Sequence, residues 1–358
     1  MAPAIPNKSL IFKSVPVDEI RENVDLAFED RPVDITTAPP KGMIVKTLIN
    51  GFDPHMRDRM RGPTFQSYMP GYEFNEPITA FSVAKVLVSD HEKYQAGDIV
   101  AGLLPVAEYG VIPQWLIEYK PMAAYLIWKV ENKYNIDLAH WVGALGLAGQ
   151  TAWTSFYGLI KPKAGETIWV NAASGAVGEI VVQLAKKEGM RVIGSASSDE
   201  KAEYVVKELG ADACFNINKE RPSDALKRLA PEGLDAVYEN VGGDHFQAAI
   251  EHIKWFGRIV SCGMVSQYNL KPEEKYGVTN LDDIFRKRIT IVGFIYCDHN
   301  IFPQNIDNLN RDLPKWIAEG SVKTRATNFV GIDKAQEAFL ALFKGKTFGK
   351  ATLRVAEP

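Results

Sequence analysis

Two patterns of apolar positions divide the chain. Residues 1 to about 130 carry short runs rich in β-branched and aromatic side chains, such as Met43 to Leu48, Ala80 to Leu87 and Asp98 to Leu103. The runs are separated by Pro39-Pro40, Gly62-Pro63, Pro70-Gly71 and Gly97-Asp98, and such runs between turn formers predict strands. From about residue 140 short apolar runs alternate with helical segments, the signature of βαβ units around a parallel sheet. The predicted strands are Thr167 to Asn171, Arg191 to Ser195, Ala213 to Asn216, Asp235 to Glu239, Arg258 to Cys262 and Ile289 to Ile295. They are expected to form one doubly wound sheet.

The helix after the first of these strands is marked by Val177, Ile180, Val181, Leu184 and Ala185, which share one helical face. The next helix has Ser197 and Glu200 at capping-box spacing and Gly210 where a left-handed stop is wanted. After about residue 325 a helix, Lys334 to Phe343, leads through GKTFGK to a strand near Ala351 to Val355, which is able to close either domain.

At the end of the first parallel strand the chain reads NAASGAVG, with Gly175 and Gly178 in the last two glycine positions of G-x-G-x-x-G and Ala173 in the first. Small residues there let the backbone approach a pyrophosphate, whose charge is met by N–H groups and the positive end of the helix dipole. A strand before and an amphipathic helix after the motif favour dinucleotide binding over a mere packing pair. The end of the second strand reads Gly194-Ser195-Ala196-Ser197-Ser198-Asp199-Glu200-Lys201, where an NAD site would place an acid against the ribose. Hydroxyls and Lys201 there favour NADP(H), provided that Asp199 and Glu200 point away.

Length and composition narrow the alternatives. At 358 residues the chain is long enough for about two domains. Its net charge of −3 leaves no basic excess for a nucleic-acid backbone. Cys214, Cys262 and Cys297 form no C-x-x-C pair and no disulfide framework, residues 1 to 130 contain no cysteine, and the six histidines show no ligand spacing. No metal is therefore expected. The start lacks a signal-peptide pattern, and apolar stretches such as Ala123 to Trp128 fall far short of the roughly 18 residues that span a bilayer, so a cytoplasmic protein without a membrane partner is expected.

Hydride transfer without a metal suits an activated carbon–carbon double bond, because charge then develops on a carbonyl oxygen that a neutral donor can stabilise. Tyrosine stays protonated at pH 7, and Tyr268 follows the Cys262-Gly263 turn at the carboxyl edge of the expected sheet. It is the leading catalytic candidate.

At this point the chain resembles the zinc-independent branch of the medium-chain dehydrogenase/reductases, in the group of alkenal double-bond reductases, prostaglandin reductases and leukotriene B4 dehydrogenase. DPHMR (53–57), AGQTAW (148–153), NAASGAVG (171–178), SSDEK (197–201), ENVGG (239–243), GRIVSCGMVSQYN (257–269) and GKTFGK (345–350) carry the resemblance in order. It implies an α/β protein: a GroES-like, mainly β catalytic domain over 1–135, completed by about 326–358, and a Rossmann domain over 136–325. It also implies NADP(H), a small α,β-unsaturated carbonyl substrate and a homodimer.

Carried over by position, Ser174, Gly175, Ala176, Val177 and Gly178 match the pyrophosphate loop, and Ser197 with Lys201 the 2′-phosphate region. Asn240, Cys262, Gly263, Phe294, Ile295 and Thr347 match further cofactor contacts, and Tyr268 a tyrosine thought to bond the nicotinamide ribose and assist the enolate. Three positions depart from the group's pattern: His55 and Ile217 stand where tyrosine is usual, and Thr347 where asparagine is.

His55, Met56, Tyr68, Tyr72 and Tyr296 are the candidate substrate pocket, with Phe65 and Met69 beside them. The arginines of DPHMRDRMR are expected to be a solvated charge run rather than a carboxylate anchor. The competing readings are an NADPH-dependent quinone oxidoreductase and a non-catalytic NADP-binding relative.

Overall fold

A computed structural model describes residues 4–62, 64–120, 124 and 126–358; Pro63 of the Gly62-Pro63 turn and Ala123 of the apolar stretch lie outside them. The chain separates into two compact units, Met1–Leu147 with Ala326–Pro358, and Ala148–Arg325.

In the first unit lie β1 (Lys8–Phe12), β2 (Leu26–Asp30), β3 (Met43–Phe52), β4 (Thr79–Ser89), β5 (Ile99–Pro105), β6 (Tyr109–Ile112) and β7 (Ile127–Lys129). The second unit holds β8 (Thr167–Val170), β9 (Arg191–Ala196), β10 (Ala213–Asn216), β11 (Leu234–Glu239), β12 (Ile253–Ser261) and β13 (Thr290–Gly293). The chain then returns to the first unit with β14 (Ala326–Val330) and β15 (Lys350–Arg354). The helices are α1 (His55–Arg59), α2 (Gln114–Glu118), α3 (Leu147–Ser155), α4 (Gly178–Lys187), α5 (Asp199–Lys207), α6 (Pro222–Leu229), α7 (Asp244–His252), α8 (Asp283–Lys287), α9 (Phe302–Ala318) and α10 (Ala335–Phe343).

The first unit is built on a mixed sheet in the order β14-β15-β3-β4-β5-β7, with β6 on β3. The terminal segment therefore closes this unit: β15 pairs antiparallel with β3, setting Ala351 opposite Phe52. Met56, Met60 and Tyr72 pack with Phe339 and Leu353 in one core beneath it.

The second unit is a parallel sheet in the order β10-β9-β8-β11-β12-β13. Ile168, Trp169 and Val170 on β8 and Ala236, Val237 and Tyr238 on β11 are fully buried, as strands covered by helices on both faces require. Ile180, Val181, Leu184 and Ala185 of α4 are likewise fully buried. Gly210 follows α5 with φ +80, the left-handed stop. The strand order reverses between β8 and β11, so the loops leaving their carboxyl ends diverge and open a crevice, the place where doubly wound sheets bind ligands. This is the Rossmann arrangement.

Candidate functional site

β8 delivers the chain into NAASGAVG. Ala172 takes a left-handed φ of 47°, and the Gly175 N–H donates to the Ala172 carbonyl at 2.9 Å, closing a tight turn. A Cβ at Gly178 would stand 2.3 Å from the Ala172 oxygen and 2.9 Å from Ala173 Cα, so only glycine fits where helix meets turn. No side chain caps the start of α4, which leaves the positive end of its dipole to a ligand. The acid in that first turn, Glu179, is 2% exposed; its carboxylate oxygen accepts from the Tyr204 hydroxyl at 3.3 Å and the Arg325 N–H at 3.1 Å. Burial pushes Glu179 well above the carboxylate range, which disfavours its anion beside a phosphate.

At the end of β9 the capping box is corrected by one residue. Ser198, with φ −155° and ψ 163°, is the cap, and its hydroxyl accepts from the Lys201 N–H at 3.2 Å. Ser197 is left to accept from the Lys201 ammonium at 3.2 Å. Asp199 turns toward the β10 loop, bonded by Asn216 Nδ2 at 2.9 Å and Lys219 Nζ at 2.5 Å. One of the two carboxylates that would repel a 2′-phosphate is thus paired with a second lysine, while the other, Glu200, acts on the Lys201 ammonium itself. Ile217 packs half-buried against the core.

The loops after β11 and β12 are knitted together. The Glu239 carbonyl accepts from the Cys262 N–H at 2.8 Å and the Gly263 N–H at 3.1 Å. Asn240 sits over the end of β8, its backbone and side-chain amides donating to Asn171 at 2.6 and 2.9 Å. Burial pushes the Cys262 thiol up to about 12, so it stays protonated at neutral pH. Tyr268 ends the short 3₁₀ turn Val265–Gln267, and its hydroxyl accepts the Met264 N–H at 3.1 Å.

β13 ends at Gly293, short of the predicted Ile295, because Ile295 donates its N–H to Asp298 Oδ2 at 2.9 Å in a turn. Phe294 and Ile295 therefore lie just past the strand, half-buried. Tyr296 is buried edge-on to Phe302 at 6.0 Å, and its carbonyl accepts from Thr154.

In the first unit Tyr68 and Tyr72 line a cavity of about 620 Å³ with Met69 and Arg59. Tyr72 donates its hydroxyl to the Thr79 carbonyl at 2.8 Å. Met56 is fully buried in the core, and His55 lies edge-on to Phe81 at 6.3 Å. Burial pushes the His55 imidazole down to about 4, so it is neutral at pH 7, and its Nε2 is buried without a partner among the described residues. Thr347 is half-buried before β15, and Phe65 is exposed.

The expected solvated charge run is corrected too. Arg59 and Arg61 are 6% and 8% exposed, because the loop wraps its own carbonyls around their guanidinium groups. Arg59 donates to Pro70 O at 3.0 Å and Thr79 Oγ1 at 2.7 Å, 4.2 Å above the Tyr72 ring. Arg61 donates to Phe65 O at 3.0 Å. Sequence reading also missed Lys350, buried with its ammonium on Asp53 and on the Phe52 carbonyl at 3.0 Å. No group of three or more His, Cys, Asp or Glu side chains among the described residues is placed to hold a metal ion. No helix among them is long and apolar enough to cross a membrane.

A turn that admits only glycine at Gly178, an uncapped helix start and a lysine beside two serines fit a phosphorylated dinucleotide. Comparison with known proteins agrees. An N-terminal domain of oxidoreductase matches residues 8–116, and a family described as zinc-binding dehydrogenase matches residues 176–311. Dehydrogenase FUB6 of Gibberella moniliformis is 58% identical over 358 residues, covering 100% of both chains. The NADP(+)-dependent 2-alkenal reductase of Nicotiana tabacum is 37% identical, covering 99% of both. The crystal structure of CurA from Vibrio vulnificus with NADPH superposes with a TM-score of 0.86 at 28% identity, over 98% of this chain and 100% of that one. The chain belongs to the medium-chain dehydrogenase/reductase family and is an NADP-dependent oxidoreductase.

Proposed function

We propose that the protein reduces the carbon–carbon double bond of α,β-unsaturated aldehydes or ketones, with Tyr268 as hydrogen-bond donor to the carbonyl oxygen. NADPH supplies the hydride that ends on the β-carbon, and a solvent proton completes the α-carbon. Ser174 to Gly178 hold the pyrophosphate, and Ser197 with Lys201 read the 2′-phosphate. Asn240, Cys262 and Gly263, with Phe294, Ile295 and Thr347, border the nicotinamide.

The observation that carries this reading is the Tyr268 hydroxyl. By accepting from Met264 N–H it is fixed to the loop that leaves the carboxyl end of β12, and that bond polarises its O–H toward donation. A neutral donor of this kind meets charge on an enolate oxygen without a metal. Tyr68 and Tyr72, which line the first-unit cavity, contribute apolar surface for the carbon skeleton; His55 and Tyr296 are pocket residues by the resemblance alone, and Met56, fully buried in the core, is not one. The 2-alkenal reductase relative supports the substrate class. A cytoplasmic homodimer belongs to the same reading and rests on the family resemblance.

Steady-state oxidation of NADPH in chelating buffer tests it. A short 2-alkenal is expected to be consumed with release of the saturated aldehyde, and Tyr268→Phe to lower that rate about tenfold or more. Turnover of a quinone with none of the enal would assign the protein to quinone reduction instead.

A further inference from the structure

Glu239, at the carboxyl end of β11, is 0% exposed, and its carboxyl is met by two backbone amides and by the Asn171 side chain. Its Oε1 accepts two adjacent amides, Val241 N–H at 2.7 Å and Gly242 N–H at 2.8 Å, and its carbonyl accepts those of Cys262 and Gly263. The loop so bent carries the next one. The Asn240 carbonyl accepts from Val265 N–H at 3.1 Å, and the Val241 carbonyl from Ser266 N–H at 3.0 Å and Ser266 Oγ at 2.7 Å. Gly242, at φ +76°, lies so close that a Cβ there would stand 2.7 Å from Met264 Cβ. Met264 is the residue whose N–H meets the Tyr268 hydroxyl. A continuous run of bonds thus joins one buried side chain to the proposed donor.

Glycine at 242 and 243, both at positive φ, makes this loop flexible in the unfolded chain, so its shape must come from contacts. Two amides converging on one oxygen supply it. Burying a carboxyl is costly, and one held for packing alone would be replaced by an apolar residue of the same volume at little loss. We propose that Glu239 is a positioning residue whose Oε1 sets the 240–243 turn and, through it, the place of the Tyr268 hydroxyl. The proposal rests on the reading of Tyr268 as the donor.

The requirement is an acceptor oxygen, not a charge, so glutamine should replace glutamate. E239Q is expected to keep kcat for a short 2-alkenal within about threefold of wild type, while E239A lowers kcat about tenfold, no further than Y268F does, and leaves NADPH affinity within about fivefold. In the Y268F background E239A should add little, because both changes remove the same hydrogen bond. If E239A slows Y268F by the same factor as wild type, or E239Q falls as far as E239A, the proposal is overturned. Should E239A fail to fold, E239Q still decides: in the folded variant the Val241 and Gly242 amides must remain protected from hydrogen exchange, and their loss of protection at full activity also overturns it. Y268F alone reads the underlying assignment, because an unchanged rate there removes Tyr268 whatever Glu239 does.

Discussion

The Lys350 ammonium is paired with the Asp53 carboxylate inside the first unit, 297 residues apart in sequence, with the two side chains 5% and 10% exposed. The pair ties the end of GKTFGK, where β15 begins, to the start of DPHMR, which runs into α1. Gly51 makes room for it: a Cβ there would stand 2.9 Å from Lys350 Cε and 2.8 Å from Val142.

Lys350→Met should leave the Asp53 charge buried and unpaired, and cost about 3–5 kcal/mol. Lys350→Met combined with Asp53→Leu should recover much of that loss. Urea unfolding of the wild type and the two variants measures it, and equal destabilisation by the single and double variants would show that the pairing is not what Lys350 contributes.

How far the sequence carried differs between the two kinds of feature. The parallel strands were legible because burial on both faces makes them apolar runs, and Ala213 to Asn216 matches β10 residue for residue. β12 begins five residues before the predicted Arg258, because Trp255 and Phe256 are 65% and 70% exposed and Phe256 has φ +62, a local pattern that reads as a break. The glycine turn was legible because its sterics are local. Lys350 with Asp53, and Glu239 with its two amides, were not. An ordinary charged residue reads as solvated until the fold brings a distant partner to it, and Arg59 and Arg61 misled for the same reason.

Lys201→Ala should weaken NADPH binding at least tenfold and NADH binding less than threefold, since a phosphate contact to a lysine acts only where the phosphate exists. Asp199, held by Lys219 and Asn216, does not oppose that contact. Fluorescence titration with both coenzymes reads the ratio, and equal losses would show that Lys201 does not discriminate between them.

His55 gives the protein a pH signature. Its folded pKa, about 4, lies below the unfolded value near 6.5, so between these values the unfolded chain takes up the proton that the folded one refuses. Stability therefore falls as pH drops from about 6.5 to 4 and is unaffected by this group above pH 7, with a span of about 3 kcal/mol. His55→Tyr should flatten that part of the profile. Urea midpoints at pH 7 and pH 5 check it, and an equal drop in wild type and variant would clear His55 of the effect.

The most direct test of the whole account follows the hydride itself. NADPH carrying deuterium at the transferable C4 position, given to the enzyme with a short 2-alkenal, is predicted to yield the saturated aldehyde with one deuterium on its β-carbon. Deuterium at the carbonyl carbon, in an allylic alcohol, would contradict the account.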